Sequence, residues 1–180
     1  MKAFVPLADG FEEIEAITII DVLRRAGVEV DIVTLASMHV KGSHGVIVHA
    51  DLFISNVNAG EYDLAVLPGG MPGSRNLQKN PTVIEIVRHL HEEDKIVAAI
   101  CAAPLALQEA GVLTEDQFTM HPNVMNEVPL ACTNDRAKVF GNVITGQASG
   151  AALTFALAIV ERLFGAEKVA ELNESILAAL

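Results

Sequence analysis

Three residue types capable of nucleophilic and acid–base chemistry stand at the ends of apolar runs in this chain. Cys101 follows Ile96-Val97-Ala98-Ala99-Ile100, a run apolar enough to be a short strand buried on both faces. Small residues and Pro104 come next, then a helix-forming segment from Ala103 to Ala110. A strand-to-helix turn is how α/β enzymes present a nucleophile, and the serine version, G-x-S-x-G, uses small neighbours to permit the sharp bend. Here the frame is Ala99-Ile100-Cys101-Ala102-Ala103, with alanines in the glycine positions. A helix N-terminus beside the sulfur would favour the thiolate, and the turn would open it to a cleft. The competing account is packing, because free cysteine is among the most buried residue types.

Glu12, Glu13 and Glu15 lie near the start of an expected helix. For Glu12 and Glu13 the helix macrodipole is explanation enough. Glu15 shares a stripe with Ile19, Val22 and Ala26, which predicts a carboxyl on a buried face, a raised pKa and a proton available to a neighbour. The helix is apolar almost all round, so the stripe discriminates weakly. Pro68-Gly69-Gly70 ends another apolar run and opens a loop through Met71-Pro72-Gly73; it reads as turn chemistry or as backbone N–H groups aimed at an oxyanion. His121 closes a short strand-like run at Phe118-Thr119-Met120, and reads as a site residue or as an ordinary core or surface histidine. His89 and His91 belong to a solvated helix face. His39, His44 and His49 have no cysteine or acid framing a ligand set, so no metal site is expected. Cys132 reads as structural. There is no G-x-G-x-x-G and no G-K-[ST], which favours chemistry without a cofactor.

These residues need a scaffold that brings strand ends together. Lys2–Ala8, Val28–Leu35, Leu64–Leu67 and Ile96–Ile100 read as buried strands. Helices are expected over Glu12–Ala26, closed by Gly27, and from Asn80-Pro81 to about His91. Further helices are expected from Ser149 to Phe164 and from Ala166 to Leu180. Residues 38–57 read as a hairpin-like excursion, and Lys138–Phe140 with Val143–Thr145 as a second hairpin around Gly141-Asn142. The sum is one α/β domain over residues 1–180, a three-layer sandwich with a mostly parallel sheet. In such sheets ligands sit beyond the carboxyl ends of the strands, where Asp9–Glu15, Gly69-Gly70, Cys101 and His121 fall.

Composition narrows the partners. A net charge of −11 argues against nucleic acid, whose phosphates reward clustered Lys and Arg. No uninterrupted apolar stretch is long enough for a membrane span. Met1–Ala8 reaches Asp9 too soon to hold a signal h-region, and two cysteines without an export signal fit thiols in a reducing cytoplasm.

Taken together, Asp9-Gly10-Phe11-Glu12-Glu13-Ile14-Glu15, Val66-Leu67-Pro68-Gly69-Gly70, Ile96 to Pro104, His121-Pro122 and Phe155–Glu161 resemble the ThiJ/PfpI superfamily nearly end to end, in its branch of the parkinsonism-associated deglycase and its bacterial relatives. The resemblance implies a flavodoxin-like sandwich and a homodimer with sites near the subunit interface. It implies that Cys101 is the reactive, readily oxidised cysteine, Glu15 the glutamate that hydrogen-bonds it, and His121 the nearby histidine. Gly69, Gly70 and Ala102 then match the backbone positions around a small anion or oxyanion pocket. Three departures stand out. Ala102 replaces the histidine that follows the cysteine in family peptidases, so a protease reading loses its base. His44 stands where close relatives often carry Arg, which bears on anion affinity. Ala148-Ser149-Gly150 stands in place of Gly-Pro-Gly before the long helix, which bears on substrate size. The expected activity is that of a cofactor-independent cysteine enzyme acting on glyoxal, methylglyoxal or their adducts to give hydroxy acids. The alternatives are a redox-responsive sensor or holding chaperone, and a small hydrolase or amidase.

Overall fold

Period-two alternation in the apolar runs divides the interior into two cores, one on each face of a sheet. A computed structural model describes residues 1–178. In chain order the elements are β1 (Lys2–Leu7), α1 (Glu13–Arg25), β2 (Glu29–Thr34), β3 (His39–Lys41), β4 (Ile47–His49), β5 (Leu52–Phe53), β6 (Leu64–Leu67), α2 (Gly73–Lys79), α3 (Pro81–Glu92), β7 (Ile96–Ile100), α4 (Pro104–Ala110), β8 (Ala137–Phe140), β9 (Val143–Gly146), α5 (Ala152–Phe164) and α6 (Ala166–Ile176). Ala3, Val5 and Leu7 of β1, Leu64 and Val66 of β6, and Ala98 and Ile100 of β7 pack with α1, α5 and α6. The intervening Phe4, Ala65, Leu67, Val97 and Ala99 pack with α2, α3 and α4. Burial on both faces is what a parallel sheet covered by helices requires.

The sheet runs β5-β2-β1-β6-β7-β9-β8, and β3 with β4 forms a separate antiparallel ribbon. Every pairing in the large sheet is parallel except β8 with β9. The inner strands β2-β1-β6-β7-β9 have the 2-1-3-4-5 order of flavodoxin-like sheets, whose strand order reverses between β1 and β6. At that reversal the β1–β6 ladder is short, covering Ala3↔Leu64 and Phe4↔Ala65. Pro6 lies just beyond it and has no amide hydrogen to extend it. A crevice beyond the strand ends is therefore expected between the ends of β1, β6 and β7. No helix among the described residues is long and apolar enough to cross a membrane.

Both hairpins form as expected, and Gly27 ends α1 with φ +92°. Four expectations change. Gly73–Lys79 is helical, although Pro72 and Gly73 read as loop; its Leu77 is buried under the sheet. Phe118–Met120 is not a strand: it makes the single bridge Thr119↔Thr133 and anchors a small separate cluster with Val124 and Val128. Ser149–Ala151 is a 3-10 turn, so the long helix starts at Ala152. The last helix ends at Ile176, with Leu177 left-handed at φ +53°, and Ala179 and Leu180 lie outside the described residues.

Candidate active site

Cys101 sits at the tip of β7 with φ +64°, a left-handed conformation that costs a non-glycine residue about 1–2 kcal/mol. Three backbone hydrogen bonds around the elbow hold it there. Its N–H donates to Gly146 O of β9 at 2.9 Å, its carbonyl accepts from His121 N at 2.8 Å, and Ala103 N donates to Ile100 O at 3.0 Å. Ala102 and Ala103 are buried, so larger side chains could not follow the bend without displacing the core. The elbow is thus present with alanines in the places of the glycines.

Glu15 is the partner. The α1 stripe does face inward: Glu15, Ile19 and Val22 are buried, and Glu15 is 0% exposed. Its Oε2 accepts from Gly69 N at 2.7 Å and its Oε1 from the Ser149 hydroxyl at 2.8 Å. Gly69 permits this closeness. A Cβ there would come within 2.5 Å of Glu15 Oε2 and 2.6 Å of Cys101 Cβ. Its N–H belongs to Glu15, whereas the amides of Gly70 and Ala102 favour the anion of the Cys101 sulfur. The two remaining amides are the ones suited to an oxyanion beside Cys101.

Burial raises the Glu15 carboxyl above the ordinary range, and the Ser149 and Gly69 hydrogen bonds only partly offset it. Burial, then the charge and hydrogen bond of Glu15, push the Cys101 thiol up to about 12, against the two amides that favour the anion. Burial and Glu15 therefore work against the thiolate that the helix N-terminus is expected to favour. The Glu15 charge thus disfavours a second negative charge on the sulfur. Such a carboxylate can accept the thiol proton as the sulfur attacks.

His121 reaches the elbow through its backbone. Its Nδ1 accepts from Asn123 N at 3.1 Å, which in the neutral ring leaves Nε2 as the N–H donor. Cys132 is half-buried against the Phe118 cluster, which also contains Ala102 and Leu105. A broad surface cavity of about 710 Å³, lined by Arg75, Lys79, Arg88 and Glu109 among others, lies between α2, α3 and α4 and contains none of these residues.

Sequence reasoning missed two features. Ser149 was read only as a loop difference, and its bond to Glu15 joins residues 134 apart in the chain. Glu13 is more than a first-turn acid. It accepts from His44 N at 2.6 Å, from the Ser43 hydroxyl at 3.2 Å and from His44 Nδ1 at 2.9 Å. Burial opposes its ionisation, yet these bonds hold it down at about 2. His44 therefore does have acid partners: Glu12, Glu13 and His44 bring possible ligand atoms within 4.8 Å of one another. Glu13 already has its donors, so this is a hydrogen-bonded latch between the β3–β4 tip and α1.

Comparison with known proteins identifies the family. The DJ-1/PfpI family profile matches residues 1–162. The chain is 35% identical to the Parkinson disease protein 7 homolog of Danio rerio, over 98% of this chain and 96% of that one. It is 34% identical to a Caenorhabditis elegans protein named glutathione-independent glyoxalase, over 87% of this chain and 85% of that one. The oxidized DJ-1 structure of Toxoplasma gondii superposes with a TM-score of 0.93 at 35% identity, covering 99% of both chains. The chain belongs to the DJ-1/PfpI family.

Proposed function

We propose that this protein is a cofactor-independent cysteine enzyme that converts small reactive dicarbonyls such as glyoxal and methylglyoxal, or their adducts, to hydroxy acids. The observation that carries the reading is a left-handed Cys101 beside a fully buried carboxyl, the two so close that a Cβ on Gly69 would meet both. The name of the Caenorhabditis elegans relative supports the substrate class. Cys101 Sγ attacks the aldehyde carbon as Glu15 takes its proton and passes it to the aldehyde oxygen, giving a hemithioacetal and restoring the Glu15 carboxylate. Glu15 then carries a proton from the first substrate carbon to the second through an enediol, leaving a hydroxyacyl thioester. Water hydrolyses the thioester, releasing the hydroxy acid and the thiol, so the sum is dicarbonyl plus water to hydroxy acid. Gly70 and Ala102 stabilise the oxyanions formed on the way. His121, with Nε2 free to donate, assists at the edge of the site.

Apolar Ile14 and Ile17 on α1 remain 59% and 45% exposed, and Val46 at the ribbon tip is exposed too, which supports a homodimer over this face. Two free cysteines fit a reducing compartment. The deciding measurement is lactate formation from methylglyoxal by wild type, Cys101→Ser and Glu15→Gln. Loss of the nucleophile is expected to remove several decades of rate, each about 1.4 kcal/mol. Wild-type turnover by Cys101→Ser sinks the mechanism.

A second reading uses the same sulfur as a redox signal, because the Gly70 and Ala102 amides would also hold an oxygenated, anionic sulfur. It predicts selective dioxygenation of Cys101 over Cys132 under mild peroxide, read by mass spectrometry. Robust dicarbonyl turnover with a peroxide-resistant Cys101 rules it out.

A further inference from the structure

The β3–β4 ribbon carries a histidine pair that the chemistry at Cys101 does not use. His39 and His49 are directly opposite in the antiparallel register. Ala50 N donates to Met38 O and Gly42 N to Val46 O, which marks 38/50 and 42/46 as hydrogen-bonded pairs. Alternation along the ladder makes His39↔His49 a non-hydrogen-bonded pair, the kind that brings facing side chains closest. Val40 and Val48 occupy the other face of the ribbon and pack on the core, so both imidazoles point outward and are exposed.

The two rings meet edge to face, with centroids 5.0 Å apart. Rotation about χ2 spins each ring about an axis through its centre, so this separation survives reorientation of the nitrogens, and χ2 of histidine is broad. A metal–nitrogen bond of about 2.0–2.1 Å plus roughly 1.2 Å to the ring centre puts an ion about 3.2 Å from each centre. Two such rings stand about 4.5 Å apart at a right angle and about 5.2 Å apart at the tetrahedral angle. The observed spacing lies between these, nearer the tetrahedral value.

We propose that His39 and His49 form a cross-strand chelate for a divalent transition-metal ion that favours imidazole, Zn²⁺ above all, with water completing the coordination. Lys41 shares the outward face, diagonal to His49, and its charge keeps the site weaker than a four-ligand structural zinc site. The ion would lock together two strands whose ends are already tied to the loop before α1. Gly10 N donates to Lys41 O, Lys41 N to Asp9 Oδ1, and Ser43 N to Phe11 O. The chelate therefore stiffens the support of the Glu13 latch.

The test is calorimetric titration of the full chain with zinc chloride, alongside long-range nitrogen–proton NMR of the imidazoles. A site of one Zn²⁺ per chain is expected, weakened at least tenfold by His39→Ala and by His49→Ala and unchanged by His44→Ala. In wild type both rings should shift together at the same zinc ratio. A weakening below tenfold in either variant, equal weakening in His44→Ala, or no shift of the two rings overturns the proposal.

Discussion

Removing the Ser149 hydroxyl should make Cys101 more reactive. Ser149 Oγ donates to Glu15 Oε1 at 2.8 Å, and Gly69 N donates to the other oxygen at 2.7 Å. An ionised Glu15 depends on both donors, whereas a protonated carboxyl loses little when one is removed. Hydrogen bonds to charged groups are worth about 1.5–3 kcal/mol net, and each 1.36 kcal/mol is a factor of ten in a proton equilibrium. Ser149 is only half-buried and water can replace part of the bond, so the lower end applies. Ser149→Ala is thus expected to raise the Glu15 pKa and shift the thiol proton towards Glu15 about tenfold. The assay is the second-order rate of iodoacetamide alkylation at pH 7, read by mass spectrometry, with Cys132 as reference inside the same molecule. The Cys101 rate should rise about tenfold and the Cys132 rate should not move. An unchanged or slower Cys101 rate in a variant that still melts like wild type refutes the proton-transfer reasoning.

Three other outcomes follow from the same geometry. Burial raises Glu15 in the fold, so the folded state binds its proton more tightly, and this contribution to stability declines as pH rises through the folded pKa. Glu15→Gln removes that titration while its amide oxygen still accepts from Gly69 and the Ser149 hydroxyl turns to accept from its NH₂. Its melting temperature at pH 7 should not fall, although lactate formation drops about 10²–10⁴-fold; a melting point lowered by more than ~5 °C contradicts this. At the latch, Glu13 is lowered to about 2, so its contribution is present above its usual 4.5 and lost as pH falls towards 2. His44 is raised, chiefly by its bond to Glu13, so its contribution is complete below 6.5 and lost as pH climbs through the folded value. Amide protection factors over Ser43–Val46 should therefore peak between 4.5 and 6.5 and lose that peak in Glu13→Gln; a flat profile in wild type counts against the latch. Gly70 has φ +93°, and a Cβ there would overlap Glu12 N and come within 2.5 Å of Gly10 O. Gly70→Ala should cost at least about 2 kcal/mol in urea unfolding, and a loss below about 0.5 kcal/mol would show that the loop yields.

The scaffold was legible wherever burial on both faces leaves only apolar residues, as at Leu64–Leu67 and Ile96–Ile100. It became illegible where tertiary packing overrides local signals. Gly73–Lys79 starts with a poor helix former after a proline, yet Leu77 reaches the core and the segment winds. Phe118–Met120 has strand-like residues, but its neighbours offer one bridge to Thr133, and Phe118 satisfies its hydrophobicity in a local cluster instead. Pro6 in β1 gave no warning either: a proline in a central strand usually argues against one, and here it lies where the β1–β6 ladder has already parted.

At the site, the limits of local reasoning can be given a magnitude. The α1 stripe discriminates poorly because Ile14 and Ile17 are as apolar as the buried Ile19, and only the fold separates them. The elbow at Cys101 was readable from small residues between a strand and a helix, but its protonation state was not. A helix N-terminus stabilises a neighbouring anion by about 0.3–1 kcal/mol. Burial and the Glu15 carboxyl push the thiol the other way, up to about 12. That larger effect comes from burial under the fold and from Glu15, 86 positions earlier in the numbering, itself held by a serine later still. The spacing of residues along the chain could thus point to the nucleophile, while contacts between distant segments decide when it carries its charge.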